Sequence, residues 1–170
     1  MPPTQNEANT HTVSGSGSQG FIRYVDSTIE QAEKESRRPA WIILTLAREC
    51  ANVDLRRIRR PLRFWRSLQE LPPVCFGRDG FRPDLVDDYH PARHYCAFLA
   101  TGFFLPAWLA IPFARLWERA EGVVYGEYSP SDVILSEIAI RHARALRRDG
   151  MSQLPALIRR DLTDNQSPGT

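Results

Sequence analysis

The longest apolar run in the chain extends from Tyr95 to Ala114, twenty residues without a charged side chain, with Arg93 before it and Arg115 after it. Twenty residues make about 30 Å of helix, so the run is either the buried centre of a helical domain or a membrane segment. Pro106 and Pro112 lie within it. A proline removes an intrahelical hydrogen bond and crowds the preceding turn, which predicts two helical pieces, 91–104 and 107–120. The entry is marked by Asp87 and Asp88 ahead of Pro91, since carboxylates suit a helix N-terminus and proline suits its first position.

Elsewhere the apolar positions fall in helical steps. Phe21, Ile22, Val25, Ile29 and Ala32 follow spacings of three and four, and predict an amphipathic helix over 21–37 that Pro39 ends. After Pro39 the β-branched Ile42, Ile43 and Thr45 fit a strand, while Ala40, Leu44, Leu46, Ala47 and Ala51 fit a helix; the length of the segment decides for helix. Residues 54–71 place Leu55, Ile58, Leu62 and Trp65 on one face, and Pro61 divides them into two short helices or one kinked one. Residues 74–88 have loop composition, and residues 122–128 read as a loop or a short edge strand. Ser129, Pro130 and Asp132 form the clearest helix start in the chain, and Arg147, Arg148 and Gly150 its stop. A last short helix spans 154–162.

These elements define an all-α fold, a compact single-domain bundle of five to seven helices around the proline-broken apolar centre. At 170 residues the chain has room for one core. Residues 1–20 and 163–170 are polar and rich in Ser, Gly, Thr and Asn, so both are expected to be disordered tails around a domain of 21–162. The first twenty residues carry neither a basic nor an apolar leader segment. The three cysteines, Cys50, Cys75 and Cys96, are odd in number and form no CxxC. A reducing, cytoplasmic setting is therefore expected, with membrane association through 95–114 as the alternative.

Charge adds one feature. The net charge of +2 implies no nucleic-acid partner, but between Arg37 and Arg66 nine arginines face only Glu49 and Asp54. Arg56, Arg57, Arg59, Arg60 and Arg63, with Trp65 among them and Arg93 further on, make an arginine-rich face able to hold a protein or another anionic partner. Nucleic acid is compatible with it, although no nucleic-acid motif accompanies it. The plainer reading is a solvated face paired with the acids of 30–35 and 84–88.

Chemistry has fewer candidates. His90 and His94 are four residues apart, as two imidazoles on one metal would be, but Pro91 places His90 outside the helix and weakens the pairing. His94, Glu118, Asp132 and Glu137 are the candidate acid/base residues. Glu137 lies among Leu135, Ile138 and Ile140, where burial would raise a carboxyl pKa, and packing of the two helices would let it meet His94. The same residues serve equally as a structural polar network. There is no GxSxG, GxGxxG or GxxxxGK, and no cofactor is called for. The chain reads first as a helical interaction module using its arginine-rich face or an apolar patch, and second as a small helical acid/base hydrolase built on His94 and Glu137. Membrane anchoring through 95–114 is the third reading.

Overall fold

The computed structural model describes residues 16–54, 70–86, 90–106, 108–116 and 129–164. Among them are six α-helices: α1 (Gly17–Lys34), α2 (Pro39–Ala51), α3 (Pro91–Phe104), α4 (residues 108–116), α5 (Pro130–Asp149) and α6 (Leu154–Leu162). No strand occurs among the described residues, only an isolated bridge between Phe81 and Thr163. The fold is a compact, single-domain, all-α one.

Local chemistry sets most of the helix ends. Pro39, Pro91 and Pro130 each occupy the first turn of their helix, where a missing N–H goes unmissed. The Ser129 side chain accepts a 3.1 Å hydrogen bond from the Asp132 N–H, the cap read from the sequence. Asn52 closes α2 in the left-handed conformation, φ 56°, which asparagine tolerates better than most residues.

The apolar run divides at Leu105, whose backbone is extended (φ −96°, ψ 148°) ahead of Pro106, as a residue before proline prefers. Its two halves then differ. α3 buries Ala92, Tyr95, Cys96, Phe98, Leu99 and Ala100 and packs chiefly along α5 and α2. α4 buries only Ala110 and Ala114. Among the described residues no helix is long and apolar enough to cross a membrane.

The core gathers where α1 meets α3 and the 76–81 segment. The Phe21 ring lies 5.4 Å from Phe76, 6.2 Å from Phe81 and 5.9 Å from Tyr95, centroid to centroid. α6 adds Leu154, Ile158 and Leu162, all fully buried, and packs on α1 and α5.

Described helix and contacts extend past the expected limits of 21 and 162 at both ends. α1 begins at Gly17, and Gly17, Ser18 and Gly20 are buried. The Gly17 and Ser18 N–H groups donate to the Phe76 and Asp79 carbonyls. Gly17 has φ +65°, and a Cβ there would stand 2.1 Å from the Asp79 oxygen. Gly17, which has tail composition, is thus a glycine needed for close backbone contact. At the other end Thr163 is buried, its Oγ1 donates to the Arg159 carbonyl at 2.6 Å, and the Asp164 N–H donates to the Gly80 carbonyl. Gly17→Ala is expected to destabilise the protein by about 2–4 kcal/mol, combining left-handed strain with a backbone clash; a urea titration with an unchanged midpoint would contradict this. The helical expectations over 55–69, and those for 117–128, lie outside the described residues.

Candidate functional site

α3 and α5 bring some of the expected residues together and separate others. His94 Nδ1 lies 4.0 Å from Asp132 Oδ1, with both side chains partly exposed, and the His94 ring stacks at 4.9 Å on Phe98. Glu137 does not join them; it is held at 2.7 Å by Arg115, at the surface. The reason is helical phase: five residues from Asp132 to Glu137 turn the helix by about 140°. Glu137 therefore belongs to the outward side of α5 despite its apolar neighbours in sequence.

His90 is the residue before α3, with φ −135° and ψ 55°, so it does not share a helical face with His94. No group of three or more metal-ligating side chains occurs among the described residues. His90 and Arg93 instead border a shallow cleft together with Cys50 and Cys75, with an internal volume of about 10 Å³, room for about one water molecule and not for a substrate. Burial pushes the Cys75 thiol up, which leaves it less reactive than an ordinary cysteine. Glu118, Arg56, Arg57, Arg59, Arg60, Arg63 and Trp65 lie outside the described residues.

One polar constellation escapes sequence reading. Tyr95 of α3, His142 of α5 and Asp161 of α6 form a polar chain that runs from the core to the partly exposed Asp161: Tyr95 Oη to His142 Nδ1 at 2.9 Å, and His142 Nε2 to Asp161 Oδ2 at 2.7 Å. The protons follow from the pKa directions. Arg160, and then His142, hold the Asp161 carboxyl well below the usual carboxylate range, so it only accepts. His142 Nε2–H therefore donates to it, and Nδ1 accepts from the Tyr95 hydroxyl, whose pKa burial raises. Tyr95 is 0% and His142 1% exposed, which leaves a substrate no access. The chain ties three helices together and satisfies polar atoms that would otherwise be costly to bury.

It also makes stability depend on pH. Burial outweighs the attraction of Asp161 and lowers the His142 pKa. The unfolded chain then binds this proton more readily than the folded one. The contribution is complete above an unfolded histidine pKa of about 6.5 and is lost as the pH falls below it. Asp161, also lowered, adds a further loss below about pH 4. Urea midpoints are expected to fall between about pH 7 and pH 5.5, and His142→Gln to flatten that segment; an equal slope in the variant would assign it to other groups.

The remaining feature is apolar. Trp108 is 76% exposed and Leu116 68%, with Leu109, Phe113 and Phe104 also exposed. Along α4 the buried positions are 110 and 114, and the exposed ones 108, 109, 112, 113, 115 and 116. The exposed set keeps the three- and four-residue step of a packing face. Ile134 is exposed on the outward side of α5, and the Arg115–Glu137 ion pair links the two helices. Comparison of the chain with protein-family models, with curated proteins and with solved structures returns no match. Function is therefore read from the chemistry of these surfaces.

Proposed function

We propose that the protein is a helical interaction module that works by docking through the apolar face of α4. The observation that carries this reading is the stripe Trp108, Leu109, Phe113 and Leu116, exposed on a helix that already has a separate buried side. Contiguous exposed aromatic and aliphatic groups mark interaction surfaces, whereas single exposed leucines do not. The arginine-rich segment from Arg56 to Arg66 is a candidate second contact on its charge alone.

The double variant Trp108→Ser/Leu116→Ser tests the reading. Removing exposed side chains is expected to change unfolding free energy by less than about 1 kcal/mol, while retention on an apolar chromatography resin falls sharply. A loss of several kcal/mol would mean that the face is core, and would remove the proposal.

A second reading has one observation in its favour, the partly exposed pair of His94 and Asp132. At 4.0 Å the two groups are at ion-pair and not hydrogen-bond distance, so general-base use of His94 requires the pair to close on substrate binding. It requires hydrolysis of an activated ester such as p-nitrophenyl acetate that is lost in both His94→Gln and Asp132→Asn. Background hydrolysis that is the same in all three proteins would dispose of it.

A further inference from the structure

We infer that the occupant of the α4 face is the headgroup–acyl boundary of an anionic lipid bilayer; this rests on the docking reading above and names its partner. The first ground is shape and composition. A helix that offers Trp, Leu and Phe on one side and is backed by a folded body can lie in the plane of the interface, its apolar side about 5–10 Å deep. Trp108, the most exposed of these groups, is of the residue type that settles at the headgroup level. Leu105 and Pro106 break the apolar run, so 95–114 is not one straight span, and α4 would meet a bilayer by its side.

The second ground is charge complementarity. The outward stripe of α5 runs, turn by turn, from the exposed Ile134 through Glu137, Arg141 and Arg144, and Arg115 of α4 joins it at Glu137. Arg141 and Arg144 are exposed. The acid in this stripe, Glu137, is already held at 2.7 Å by Arg115 at the end of α4. An apolar face that grades into arginines matches a surface with hydrocarbon beneath and negative charge above. A second copy of the chain fits less well. A two-fold interface must complement itself, and this face would offer arginines with no unengaged acid along the same stripe to receive them.

Flotation of the full chain decides the matter, with vesicles of phosphatidylcholine alone and of phosphatidylcholine with about one-third phosphatidylglycerol. Wild type is expected to float with the anionic vesicles and only weakly with the neutral ones. Arg141→Gln/Arg144→Gln is expected to weaken anionic binding about twenty-five-fold, at roughly a fivefold effect per charge. Trp108→Ser/Leu116→Ser is expected to abolish it. No binding to either vesicle, or binding indifferent to lipid charge and to both variants, overturns the lipid assignment. If vesicles fail while sedimentation shows self-association of the wild type that Trp108→Ser/Leu116→Ser removes, the partner is a second copy: the docking reading then stands and the lipid one falls. If Trp108→Ser/Leu116→Ser unfolds, both fall.

Discussion

His142→Ala is expected to destabilise the protein by about 3–5 kcal/mol, the largest effect of any single substitution considered. Two contributions add. The first is a cavity between α3, α5 and α6, because His142 is 1% exposed and packs at 5.9 Å against the Tyr95 ring. The second is the Tyr95 hydroxyl, which loses its 2.9 Å acceptor in a site with no water access; an unsatisfied buried group costs about 1–3 kcal/mol. Asp161 suffers less, because Arg160 still donates to it at 2.8 Å from both Nε and Nη2. Tyr95→Phe removes the hydroxyl but keeps the ring, and is expected to cost about 1–2 kcal/mol. A double-mutant cycle on the two residues should give a coupling energy near 1 kcal/mol, since they share one hydrogen bond. Additive losses in the cycle would mean that the bond contributes nothing, and a His142→Ala loss under about 1 kcal/mol would show the imidazole to be replaceable by water.

Gly102→Val is the second large effect, expected at about 2–4 kcal/mol. Helix propensity alone opposes this sign, because glycine costs about 1 kcal/mol relative to alanine in a helix. Contact geometry decides. A Cβ at position 102 would stand 2.7 Å from the Ile140 Cα and 3.1 Å from the Ala143 Cβ. The nearer atom is backbone, which cannot swing aside as a side-chain tip can. α3 and α5, the most extensively packed pair of helices, would have to separate. Gly102→Ala should show the same direction with a smaller loss, and thermal unfolding of both is the check. A variant as stable as wild type would mean that the helices can part without cost.

The contrast between α5 and α1 shows what the sequence made legible. α5 carried its boundaries locally: Ser129, Pro130 and Asp132 at the start, Gly150 at the end. The break in the apolar run was equally local, fixed by Pro106 acting on Leu105. The start of α1 was not, because Gly17 and Ser18 look like tail residues until the 76–81 segment is placed against them. Non-local contact is what one-dimensional reading lacks.

The same distinction runs through the candidate sites. His142 carried a signal, since it occupies the buried stripe with Leu135, Ile138, Ala139 and Leu146, and a polar residue there needs partners. Its partners are 47 and 19 residues away along the chain, so the need was visible and the answer was not. For Glu137 the error is of another kind: flanking apolar residues counted for more than helical phase, and phase puts it on the Ile134 and Arg141 side. α4 was ambiguous for a plainer reason. Within the uncharged run no polar side marks which face looks outward, and only packing of Ala110 and Ala114 decides.

Docking through α4 requires that its apolar stripe be open to solvent in the free protein and covered in use. Hydroxyl-radical footprinting of the unmodified full chain reads this residue by residue. Trp108, Phe113 and Leu116 are expected to label strongly in the free protein, where Phe21 and Tyr95 stay unlabelled, and to become protected when anionic vesicles are added. Trp108 and Leu116 as protected as Tyr95 in the free monomer would contradict the docking role of this face.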